Sequence, residues 1–176
     1  MRSRSLFFAA LLGLSSSALY EPRARPQPVI TPSGRAAEEP RLQRFVGQWR
    51  VVASTFGETG NGVGFEATAV AGGRGVVTQW RQGSGTTVYE AHTLMGYDAA
   101  TAQVRVLEVN TLGVADLHVG QFNEADELVL ELHNPDTRQV IQRRVFTWAS
   151  DTLHMRAGFF APDGTPTWHS VTLVRR

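Results

Sequence analysis

A chain of 176 residues with 42% apolar composition is long enough for one domain with a sizeable core, and the absence of cysteine excludes a disulfide framework, thiolate chemistry and a lipid-modified cysteine. The formal net charge of +1 is unevenly spread: residues 1–37 carry +4 and residues 38–176 carry −3, so the part that folds is mildly acidic and lacks the basic surface a nucleic-acid binder needs. All 17 basic residues are arginine, which fits GC-rich coding and carries no functional weight.

The first element has the layout of a secretory signal peptide. Arg2 and Arg4 precede an apolar run from Leu6 to Leu14, and Ser16 and Ala18 supply small residues for cleavage. The uncharged stretch over residues 5–20 is shorter than the roughly 20 residues that span a bilayer, so no transmembrane segment is expected after cleavage. The expected location is periplasmic or secreted. Residues 19–40 hold five prolines among arginine, alanine and glutamine without apolar periodicity, the composition of an extended, disordered linker.

Residues 41–176 are expected to form the folded domain. Leu42, Phe45 and Val46 fall at i, i+3 and i+4, one apolar face of a short helix that Gly47 stops. From Trp49 on, the period becomes that of strands. The expected strands are 48–56, 64–71, 75–82, 86–97, 103–110, 115–122, 127–133, 139–148, 152–160 and 165–175, punctuated by Gly, Pro, Asn and Asp. With no amphipathic helix between them, these strands predict an all-β, antiparallel up-and-down meander. Closing into a barrel removes its exposed edges.

Gly47-Gln48-Trp49 after the short helix, Gly72-Gly73-Arg74 before a strand, Gly96-Tyr97-Asp98 closing another and the arginines at 175 and 176 together resemble a bacterial calycin, or lipocalin-like, family of unknown function. The resemblance implies a lipocalin-like barrel, commonly exported, with no established activity; separately, no cofactor is expected. It further implies that Trp49 plugs the closed end while Arg175 or Arg176 stacks on its indole. There is also a distant similarity to nitrobindin-type haem barrels, which follow Gly-x-Trp with a further Gly-x-Gly; here Arg50-Val51-Val52 follow.

The strands carry polar residues on both parities, the pattern of a cavity that mixes apolar walls with a few convergent polar groups. Trp80, Arg144, Arg156, Trp168 and His169 are the candidate ligand contacts, with at least one inward arginine whose fork could hold a carboxylate. The expected partner is a small hydrophobic or amphipathic molecule.

Two other chemistries are open. His92, His118, His133, His154 and His169 show no local zinc spacing, but His169, in the final strand, could ligate haem iron from inside a barrel. Glu108, Asp116 and His118 could converge across a hairpin as a general acid/base cluster for a hydrolase or isomerase. No Gly-x-Ser-x-Gly elbow occurs, and the Gly72-Gly73-Arg74-Gly75 run lacks the lysine of a phosphate loop and reads as a tight turn.

Overall fold

The computed structural model describes residues 39–56, 59, 62–82 and 88–176. The expected signal peptide and nearly all of the expected linker lie outside these residues, as do the first two residues of the strand placed at 86–97. The described chain is a meander of ten antiparallel strands closed into a barrel. They are β1 (Gly47–Ser54), β2 (Gly64–Val70), β3 (Gly75–Gln82), β4 (Tyr89–Asp98), β5 (Gln103–Asn110), β6 (Ala115–Phe122), β7 (Leu128–His133), β8 (Val140–Ala149), β9 (Thr152–Phe160) and β10 (Pro166–Arg175). Each strand pairs with its neighbour in sequence, and β1 pairs with β10 to complete the ring.

The expected helix is a single 3-10 segment, Pro40–Phe45. Six residues opening on a proline are too few for a stable α-helix, and the tighter winding eclipses positions i and i+3. Leu42 and Phe45 therefore point the same way, and each is only 1% exposed. They close one end of the barrel. Gln43 donates from Nε2 to the Gly73 carbonyl at 2.6 Å, and Arg44 and Arg41 both reach Asp126 in the turn between β6 and β7. Arg41 lies over the Phe122 ring and Arg44 over the Trp148 ring, at 4.1 and 5.7 Å.

Trp49 sits just inside this plug, 2% exposed, its Nε1 donating to the Phe45 carbonyl at 2.8 Å. Arg175 from β10 covers its ring at 4.6 Å while donating to the carbonyls of Val46 and Arg44. Gly64 lets β2 cross close to β1: its φ is +154°, and a Cβ there would stand 1.9 Å from the Trp49 carbonyl oxygen. Only glycine permits that approach.

Inward residues alternate strictly along most strands, as in Val104, Val106 and Glu108 of β5 or Leu153, Met155 and Ala157 of β9. The outer face is not uniformly polar. Val77, Leu94, Leu107 and Leu117 are register partners across β3 to β6 and form one exposed aliphatic row, with Leu94 50% exposed.

Candidate functional site

Above the aromatic base, the barrel holds a half-open cavity of about 900 Å³. Its floor continues the base: Trp49 stacks on Phe65, and Phe65 stacks on Trp80, with centroids 5.9 and 6.0 Å apart. Phe45 meets Phe146 and Trp148 edge-on from below. Meander topology brings these rings together, since each strand delivers alternate side chains to the interior.

One wall is polar. Arg144 of β8 points inward and its two Nη atoms meet the two carboxylate oxygens of Glu108 of β5, at 2.5 and 3.3 Å. The Tyr89 hydroxyl and Asn110 Nδ2 each lie 3.4 Å from Glu108 Oε1 and donate to it. Glu108 is 4% exposed. Burial pushes its carboxyl pKa up, but the hydrogen bonds and charge of Arg144, with Asn110, outweigh this and hold it below the usual value. Burial and the Glu108 charge raise the Tyr89 phenol, so it stays protonated and remains a donor. Nearer the floor, the hydroxyls of Thr78 and Thr93, register partners on β3 and β4, satisfy one another at 2.6 Å.

His118 of β6 is fully buried, with Nε2 2.6 Å from Gln142 Oε1. That contact requires Nε2 to carry the proton, which leaves Nδ1 a bare acceptor; it has no partner. Burial, and then the Arg144 charge, hold the imidazole pKa below its usual value, so it is neutral.

The candidate residues separate by strand parity. Trp80 and Arg144 line the cavity. Arg156 and Trp168 do not. Both stand on the outer face, the Arg156 guanidinium 4.8 Å over the Trp168 ring, which packs on Gly158. Trp168 and His169 are adjacent in β10, so only one of them can face inward. His169 takes the inward side, but its ring is covered by Phe56 at 4.5 Å and flanked edge-on by Phe159. Trp49 and Arg175 make the stacking contact described above.

The alternative constellations do not assemble. Glu108 and Asp116 are register partners facing the cavity, yet no hydrogen bond among the described residues links either of them to the other or to His118. Glu108 is held by Arg144, and His118 by Gln142. The remaining histidines are dispersed, His154 beside Thr172 and His133 beside Glu131. No group of three or more metal-ligating side chains occurs among the described residues.

Tyr89, Asn110, Thr78, Thr93 and Gln142 were missed as site residues. Gln142 was detectable, because it shares the parity of Arg144, Phe146 and Trp148 along β8. The inward arginine was expected to be able to hold a carboxylate; the one that Arg144 holds is Glu108 of the same chain. No protein-family model matches this chain, and no curated protein does.

Proposed function

We propose that this protein is a lipocalin-like binding module that carries a small amphipathic molecule inside its barrel. The observation that supports this most is the cavity of about 900 Å³ with aromatic walls and one fixed polar wall. Its size lies in the range of roughly 300–1,000 Å³ typical of small-molecule sites, and such sites combine apolar walls with a few oriented polar groups. The apolar body of the ligand rests against Trp80, Phe65 and Met155, and its polar end reaches the wall built by Glu108, Arg144, Tyr89 and Asn110. Those polar groups satisfy one another before any ligand arrives, so little reorganisation accompanies binding.

The pattern of residues 1–18 supports export to the periplasm or beyond. Sequencing the amino terminus of protein recovered from cells tests that part. Binding is tested by titrating the purified protein with a neutral environment-sensitive naphthylamine dye. Saturable blue-shifted emission, abolished by filling the cavity with Ala91→Trp, is the expected result. Emission unaffected by Ala91→Trp places the dye outside the barrel and sinks the reading.

A further inference from the structure

The ionisable groups on the cavity wall do not balance. Two carboxylates, Glu108 and Asp116, face it, against one guanidinium, Arg144. Both Nη atoms of Arg144 are committed to Glu108, which lies directly opposite Asp116 in the β5–β6 register. Asp116 itself has no hydrogen bond or ion pair among the described residues. The next inward residue of the same strand, His118, is neutral and bonded to Gln142, so it supplies no counter-charge.

Asp116 is partly buried, and a carboxylate on the wall of a largely apolar cavity gains most from a ligand of opposite charge. The same cavity is lined by the aromatic rings of Trp80, Tyr89, Phe56 and Phe159, a setting that suits a cation better than an anion. An anionic ligand would bring a third carboxylate into this space and would have to share with Glu108 the one guanidinium charge there. From this imbalance we infer that the interior site selects an amphipathic molecule whose polar end is a protonated amine or quaternary ammonium, held by Asp116. This rests on the reading of the cavity as a small-molecule site and names the ligand class for it.

The test uses three probes with one tail and different heads: dodecyltrimethylammonium, dodecanol and dodecanoate, each below its aggregation concentration at pH 7. Binding to the purified full chain is followed by calorimetry. The ammonium is expected to bind about tenfold tighter than the alcohol, with dodecanoate weakest. Asp116→Asn should bring the ammonium-to-alcohol ratio to about one, and Asp116→Glu should keep it above one. Dodecanoate binding tightest, the alcohol matching the ammonium, or a ratio unchanged by Asp116→Asn each overturns the inference while leaving a cavity that binds amphipaths. If none of the three binds, the small-molecule reading falls and the ligand class with it.

Discussion

Arg144 and Glu108, 36 residues apart in sequence, meet inside the barrel through two hydrogen bonds between their charged groups. Removing one member of such a buried pair leaves the other charge unpaired, at a cost of about 3–5 kcal/mol. Glu108→Gln should lose roughly that much in urea unfolding, and Glu108→Leu combined with Arg144→Met should lose much less. The carboxyl pKa of Glu108 is depressed on folding, so its contribution is present above its ordinary value of 4.5 and is lost as the pH falls through the lower folded value. The stability gap between wild type and Glu108→Gln should therefore be widest at neutral pH and narrow below pH 4.5.

The buried imidazole of His118 gives a second pH dependence, in a different window. Its folded pKa lies below its ordinary 6.5, so the unfolded chain binds a proton more readily, and stability is full above pH 6.5 and declines as the pH falls below it. Thermal melts between pH 7.5 and 5.5 should show a fall in Tm that His118→Gln flattens. An equal slope in both proteins would remove His118 as the cause.

At the closed end, Arg175→Gln removes the contact with the Trp49 ring and the donors to two carbonyls, for a loss of roughly 1–3 kcal/mol. Arg175→Lys should recover only part of it, because an ammonium cannot bridge the Val46 and Arg44 carbonyls while lying flat on the indole. Trp49→Ala should cost about 3–5 kcal/mol. Denaturant midpoints at constant m-value check all three.

Inside and outside tryptophans should behave oppositely. Trp80→Leu is expected to weaken binding of the ligand or a dye about tenfold or more, since it strips aromatic wall from the cavity. Arg156→Ala and Trp168→Ala, on the outer face, should leave that affinity unchanged. A quenching titration of each variant decides it.

The number of strands, their order and the antiparallel meander were legible in the sequence because turn residues mark every reversal, as at Asn134-Pro135-Asp136 or Pro162-Asp163-Gly164. Which side of each strand faces inward was not, and the outer aliphatic row shows why. In β5 the exposed residue is Leu107 and the buried one is Glu108; in β4 the inward Thr93 is more polar than the outward Leu94. A parity argument based on hydrophobicity inverts at such places. The polar wall is legible only once Arg144 is seen to meet Glu108 from three strands away, a long-range pairing that no local spacing encodes. The Trp49–Arg175 contact was anticipated because both ends of the domain carry it in recognisable positions.

The register that joins Trp49 to Arg175 also sets when the molecule can be finished. The first strand finds its second neighbour only in β10, so a growing chain holds nine strands with two unpaired edges until β10 emerges from the ribosome. Such edges are templates for wrong partners, and contacts this far apart in sequence form slowly. A chain cut before β10 is therefore a sheet seeking a mate, and any helper that guards it during synthesis must act until the ten residues of β10 are made.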